Sequence, residues 1–361
     1  MKRKILLTPG PATTSLSVKQ AQIIPDICPR ESDFSKILST IEYKLLNLVN
    51  GKYKDFSTIL LTGSGTSIMD SVISSIINKG QLLVIENGAY GYRFFEIGKA
   101  YNIPSIRFFA KWGERIPLNR LEYCLKQNSD IEAVCVIHHE TTTGILNDIE
   151  SIGKIVKKYN KTYIIDCISS IGGKYIDINK VKADYLIGTA NKCIQGLPGL
   201  SFVICKTSHL EKTKNYPIRN YYLNLYKNYL YYKFYKQTKF TPCVMTIYAF
   251  LQALLELEVE TLNCRITRYE NLWYDVQKEM KNMNFKKLLN DKDESKLLTT
   301  YYEPKEFDFL KIHDELYNKG FTIYPGKLFN NKTFRIGNIG NINKNDINKF
   351  FKTFRGIYEK R

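Results

Sequence analysis

Lys192 has surroundings that could turn an amine into a nucleophile. The stretch from Tyr185 to Cys205, YLIGTANKCIQGLPGLSFVIC, is two short apolar runs joined by a polar turn bearing Lys192 and a bend with Gly196, Pro198 and Gly199. Runs of this length and composition read as two buried strands, tightly connected, with the lysine between them. Desolvation there lowers the pKa of an amine and populates its neutral form. A neutral lysine can attack a carbonyl carbon and form a Schiff base. A lysine at a strand end can equally run its stem along the protein and put its charge in water, so the reading depends on what else the chain supplies.

Four other groups bear on it. Thr58–Leu61 is a short strand that runs into Gly63-Ser64-Gly65-Thr66, where a helix begins at once. The backbone N–H groups and positive end of such a helix hold a phosphate. The spacing matches neither G-x-x-x-x-G-K-[ST] nor G-x-G-x-x-G, so the usual nucleotide motifs are absent. Tyr90, between Gly88 and Gly91, is expected on an exposed turn with its ring able to lie against a planar ligand. The apolar run Ala133–Ile137 exits into HHETTTG, which contains Thr141, and Thr162–Ile165 delivers Asp166.

The elements that must position these groups follow a repeating order of strand, polar loop and helix as far as residue 205. Amphipathic helices are predicted over Ser35–Asn50, Leu118–Gln127 and Asp148–Tyr159, and strands over Leu82–Glu86 and Ser105–Phe109. That order predicts an α/β fold whose large domain has a mostly parallel sheet flanked by helices. Thr66, Tyr90, Thr141, Asp166 and Lys192 all lie on strand exits, which share one edge of such a sheet. Pro217–Lys239 is dense in Tyr, Lys and Asn with no clear strand; a long helical stretch then runs from Val244 through Glu260 to Met283. From Lys296 the pattern is a smaller C-terminal α/β domain. It has strands near Leu297–Tyr302, Phe321–Tyr324 and Phe334–Ile336, and helices near Phe307–Lys319 and Asp346–Tyr358. The expected division is 1–265 and 266–361, with roughly the first 15 residues packing on the smaller domain.

Composition narrows the function. A chain of 361 residues holds one large or two ordinary domains. No apolar run approaches the ~18 residues of a membrane span, and the N-terminal MKRKILLTPGP stops being apolar before Pro9 and lacks a small-residue cleavage site. The eight cysteines form no C-x-x-C pair, so neither a metal site nor a disulfide framework is expected, and a cytoplasmic location fits. The net charge of +18 raises the question of nucleic acid, but the basic residues are spread along the whole chain. Nucleic-acid binding needs a patch; a diffuse excess favours anionic small molecules.

A phosphate cradle, a flat aromatic ring, a carboxylate and a buried lysine match pyridoxal 5'-phosphate better than any other cofactor, the carboxylate keeping the pyridine nitrogen protonated. The strings LLTPGP, GSGT, NGAYGYR, HHETTTGIL, DCISS, ANKCIQGLPG, FTP, YPGK and FRIGNIG occur in that order. Together they resemble the class V, fold-type I aminotransferases over nearly the whole chain. ANKCIQGLPG and FRIGNIG most resemble the 2-aminoethylphosphonate–pyruvate transaminases of that class. The resemblance implies that Lys192 is the Schiff-base lysine and proton shuttle, that Asp166 pairs with the pyridine nitrogen, and that Thr141 contacts the ring hydroxyl. It implies that Tyr90 stacks on the ring and that Ser64, Gly65 and Thr66 bind the phosphate. Thr241 would reach the phosphate in the neighbouring subunit, giving a homodimer with shared sites, and Arg335 would grip the carboxylate of alanine or pyruvate. The implied activity is a ping-pong exchange of 2-aminoethylphosphonate and pyruvate for phosphonoacetaldehyde and L-alanine. The alternatives are an alanine/serine–glyoxylate type of the same class, or a non-catalytic binding protein on this fold. A cysteine desulfurase needs a late loop cysteine, and the last here is Cys264. RNYYLNLY (Arg219 to Tyr226) and the segment around Arg30 depart from the family's usual text, and either could lie near the amino-donor pocket.

Overall fold

The computed structural model describes residues 3–328 and 331–359. Seven strands form the central sheet, in the order Phe56–Thr62, Leu200–Lys206, Tyr185–Thr189, Thr162–Asp166, Ile131–Ile137, Gln81–Glu86 and Ser105–Phe109. Leu200–Lys206 runs antiparallel to both its neighbours; the pairings from Tyr185–Thr189 to Ser105–Phe109 are all parallel. The inner strands are apolar on both faces, as strands covered on both sides are, while the edge strand Ser105–Phe109 leaves Arg107 and Phe109 exposed. Val134 and Val136 belong to one core, beneath helices Ser32–Leu48, Ile149–Lys158 and Val244–Glu260. Cys135 and Ile137 belong to the other, beneath helices Gly65–Ile76 and Ala89–Ala100. The register sets Asp166 beside Ile137 on one side and Ile187 on the other, so the carboxylate is delivered at the middle of the sheet edge.

A third core joins the C-terminal elements. It unites a three-stranded sheet (Leu298–Tyr302, Thr333–Gly337, Tyr324–Pro325) with helices Leu262–Asn282, Phe309–Asn318 and Lys344–Tyr358. Ile5 and Leu7 lie in this core, since strand Ile5–Leu6 pairs in parallel with Phe321–Thr322.

Two sequence expectations are corrected, and the segment in which no strand is expected gains a helix. Residues 217–239 contain a helix, Leu225–Tyr235, begun by Asn224, whose side chain accepts from Lys227 N. Its aromatic residues occupy every face, so no periodicity marks it. The long helical stretch is two helices, broken at Thr261, which has φ +65° and whose hydroxyl accepts from Cys264 N. Tyr90 is not on an exposed turn: the helix already starts at Ala89, and Tyr90 lies in its first turn, half-buried.

Candidate active site

A cavity of about 390 Å³ opens at the strand exits, and Ser64, Gly65, Thr66, Tyr90, Asp166 and Lys192 all line it. Thr141 and Arg335 are buried nearby and joined to each other, the Arg335 Nη1 donating to Thr141 O at 3.0 Å. Thr241 lies outside this cavity. It lines a separate recess with Tyr222 and Phe240, whose rings stack at 4.8 Å; Thr62 borders both spaces.

The antiparallel pair Tyr185–Thr189 and Leu200–Lys206 closes tightly over residues 190–199, with Ala190 N bonded to Leu200 O and Gly196 N to Ala190 O. Lys192 projects from this connection, and its Nζ donates to Pro9 O at 2.6 Å. Burial holds its pKa below the usual lysine value, with the Tyr90 hydroxyl, Cys193 and Asp166 pulling the other way. The TPGP loop lies so close that a Cβ on Gly10 (φ +124°) would fall 2.2 Å from Lys192 Cδ. Only glycine suits that backbone and that approach.

Asp166 accepts a hydrogen bond from Ile168 N at 2.8 Å. Burial pushes its carboxyl up to about 7, Glu140 adding to the effect and Arg93 and Lys192 opposing it. A carboxyl held this far from water favours a cationic partner, and a protonated pyridine nitrogen is one. At the start of the Gly65–Ile76 helix no side chain caps the first turn, while Gly65 and Thr66 line the cavity. Its leading N–H groups are therefore left for an anion. Arg93 strengthens that end: its Nη1 donates to Thr66 Oγ1 at 3.0 Å, and its guanidinium lies 4.7 Å from the Tyr90 ring centroid. The residues present fit pyridoxal phosphate, with a cradle for phosphate, a ring to lie against, a carboxyl and an amine.

Tyr90 is fixed from below by Glu140, which sequence reading missed. One carboxylate oxygen accepts from Tyr90 N (3.1 Å) and Gly91 N (3.2 Å); the other accepts from Thr142 N (3.0 Å) and the Thr142 hydroxyl (2.6 Å). Glu140 thus caps the Ala89–Ala100 helix from another strand exit. Burial raises its pKa and these hydrogen bonds pull it back. A Cβ on Gly88 would sit 2.2 Å from the Glu140 carboxyl carbon, so Gly88 is there to admit the carboxylate. His139, also on the cavity wall, bonds Ser169 O through Nδ1 (3.1 Å) and the Ser295 hydroxyl through Nε2 (2.8 Å). A carbonyl only accepts, so Nδ1 has the hydrogen and Nε2 accepts. Burial lowers His139 to about 4, which keeps it neutral.

The two departures from the family text have structural uses. The Arg219 guanidinium donates to Ser74 O, Ile77 O and Asn78 O, ending the Gly65–Ile76 helix, and Asn224 is a helix cap. Arg30 donates to Thr238 O and Lys239 O and pins the segment leading to Thr241.

The class V aminotransferase profile matches residues 19–306. The chain is 38% identical over 349 residues to the 2-aminoethylphosphonate–pyruvate transaminase of Bacillus cytotoxicus, covering 96% of this chain and 95% of that one. It is also 38% identical over 350 residues to the bifunctional phosphonoacetaldehyde hydrolase/aminoethylphosphonate transaminase of Clostridioides difficile. That match takes in 96% of this chain but 55% of the relative, so the chain spans about half of that protein's length. Among solved structures, alanine–glyoxylate aminotransferase from Nostoc sp. superposes with a TM-score of 0.93 at 21% identity, over 99% of this chain and 96% of that one. The likeness at that identity is one of fold.

Proposed function

The chain belongs to the class V aminotransferases, and on that premise we propose that it moves the amino group of 2-aminoethylphosphonate to pyruvate, giving phosphonoacetaldehyde and L-alanine. The observation that carries this reading is the gathering of Lys192, Asp166, Tyr90 and an uncapped helix start around one cavity. Pyridoxal 5'-phosphate, when bound, supplies an electron sink for the charge that develops at the amino-bearing carbon. Lys192, its neutral form favoured by burial, takes the proton from that carbon at Nζ and returns it in the reverse direction. The Asp166 carboxyl would hold the proton on the pyridine nitrogen. Ser64, Gly65 and Thr66 would hold the phosphate with Arg93 behind them, Tyr90 would lie against the ring, and Thr141 would meet the ring hydroxyl. Arg335 receives the carboxylate of pyruvate or alanine on its remaining N–H groups. His139 and Glu140 keep the walls fixed.

We further infer a homodimer in which Thr241 serves the partner's phosphate site. Its recess is flanked by exposed Tyr221, Tyr222 and Met245, an apolar rim suited to a second copy. The division between large and small domains falls near residue 265, at the start of helix Leu262–Asn282, whose Leu272, Val276 and Met280 belong to the C-terminal core. No helix among the described residues is long and apolar enough to cross a membrane, and all eight cysteines are free, as a cytoplasmic enzyme's would be.

The test is the absorbance of the cofactor-loaded protein on adding 2-aminoethylphosphonate with no acceptor. Conversion to the aminated cofactor, reversed by pyruvate, is expected. A cofactor band that ignores the phosphonate while alanine converts it would sink the donor assignment.

A further inference from the structure

Two substrates use this cavity in turn, and their anionic groups differ. A carboxylate is planar with one negative charge; a phosphonate is tetrahedral with up to two. Arg335, only 2% exposed, is already tied through Nε to Pro325 O and through Nη1 to Thr141 O, both at 3.0 Å. Its remaining edge suits a carboxylate and supplies one positive charge. Arg93 is committed to Thr66 at the cradle end.

The remaining cation beside Tyr90, Lys192 apart, is Lys327. Its Nζ lies 4.8 Å from the Tyr90 ring centroid, the side chain is exposed, and no carboxylate pairs with it among the described residues. An exposed cation over an aromatic face is held weakly, so the ammonium is available to a stronger anion. The backbone beneath it is fixed. Gly326 N donates to Thr333 O at 2.6 Å, and a Cβ on Gly326 would fall 1.8 Å from Thr333 Oγ1. Pro325, two residues before Lys327, is the same residue that orients Arg335. One turn therefore sets both cations. The Tyr90 hydroxyl reports their shared field: burial would raise its pKa, yet Lys192, Lys327, Arg335 and Arg93 together bring it below the usual tyrosine value.

We propose that Lys327 is a specificity residue of the amino-donor site, its ammonium supplying the second positive charge that a phosphonate dianion requires and a carboxylate does not. The proposal rests on the phosphonate reading above. The long lysine stem lets Nζ leave the Tyr90 face for the phosphonate in one half-reaction and withdraw in the other, while Arg335 stays in place.

The experiment compares the holoenzyme with Lys327→Met and Lys327→Arg. Lys327 is exposed, so both variants should fold. In Lys327→Met the ratio of kcat/KM for 2-aminoethylphosphonate to that for alanine should fall about 10-fold or more, and Lys327→Arg should restore most of it. Titration calorimetry with the amine-free probes ethylphosphonate and propionate gives a second readout. Ethylphosphonate should lose about 10-fold more affinity than propionate in Lys327→Met. Equal losses for both anions, or none, would overturn the proposal. If the wild-type enzyme does not take 2-aminoethylphosphonate at all, the substrate reading fails by itself, and the ethylphosphonate titration still decides what Lys327 does.

Discussion

Glu140 offers the sharpest check on how the site is built. Its side chain is fully buried, and three backbone N–H groups, those of Tyr90, Gly91 and Thr142, depend on it for an acceptor. Glu140→Ala strands all three. A buried donor without an acceptor costs about 1–3 kcal/mol, so the sum is about 3–6 kcal/mol after water fills part of the space. A whole protein has about 5–15 kcal/mol to lose. Glu140→Gln is gentler. Its amide oxygen can still serve Tyr90 and Gly91, and its NH₂ can donate to the Thr142 hydroxyl, which leaves only Thr142 N without an acceptor. That one donor (about 1–3 kcal/mol), plus the lost charge at a helix N-terminus (about 0.3–1 kcal/mol), comes to about 1–4 kcal/mol. Relief of the buried carboxylate's desolvation offsets part of this. Urea unfolding of the cofactor-free proteins, compared at equal m-values, should rank wild type above Gln and Gln well above Ala. Cofactor affinity should fall in the same order, because Tyr90 starts the helix that Glu140 caps. Glu140→Gln within about 0.5 kcal/mol of wild type would refute the capping argument, since the carboxylate would then not be what satisfies those donors.

Three further outcomes are expected. Lys192→Ala should abolish turnover while leaving cofactor bound without a covalent link, seen as a shifted absorbance; undiminished turnover would remove Lys192 from the chemistry. Gly10→Ala forces a Cβ into the Lys192 stem at an unfavourable φ. Circular dichroism should be unchanged and kcat about 10-fold lower or worse; normal kcat would mean the loop moves aside freely. The third concerns pH. Asp166 is raised to about 7 in the folded protein against about 4 when unfolded, so between those values the folded state holds a proton that the unfolded state has released. Its contribution to cofactor-free stability is therefore present at low pH and lost as pH rises from about 4 to about 7. His138 and His139, lowered to about 3 and about 4, act in the opposite sense below about 6.5, but equally in wild type and Asp166→Asn. The variant's thermal midpoint should thus fall less than the wild type's between pH 5 and pH 8, and parallel curves would contradict the raised carboxyl.

Lys192, Asp166 and the Gly65–Thr66 helix start were legible because each follows an apolar run and the signal is local. Arg93 was half-legible, since it lies one helical turn beyond Tyr90. Glu140 and His139 were not, because their partners at Gly91, Ser169 and Ser295 come from other strand exits or from the C-terminal elements. The glycines flanking Tyr90 misled in an instructive way. Gly88 and Gly91 read as turn residues, yet Gly88 admits the Glu140 carboxylate, and Gly91 lets its helix approach Glu86, whose Cα would be 2.9 Å from an added Cβ. Close approach and turn formation use the same residue, and sequence does not separate them. The break at Thr261 was invisible for a related reason, a β-branched residue being among the last expected at positive φ.

The strap formed by the first residues has a consequence for biosynthesis. Ile5 pairs with Phe321, Thr13 bridges to Gly340, and the carbonyl of Pro9 between them is the one that meets Lys192. The seven-stranded sheet has all its strands once residue 206 is made, and domains tend to fold as they emerge during synthesis. At that stage the cradle, the carboxylate and the lysine exist together, but the segment that covers the lysine has no partner strand. A nascent chain stopped before Phe321 presents an uncovered amine to any aldehyde in solution. Closing so long a loop costs more in rate than in stability, so the strap is assembled after the strands whose lysine it covers, although it precedes all of them along the chain.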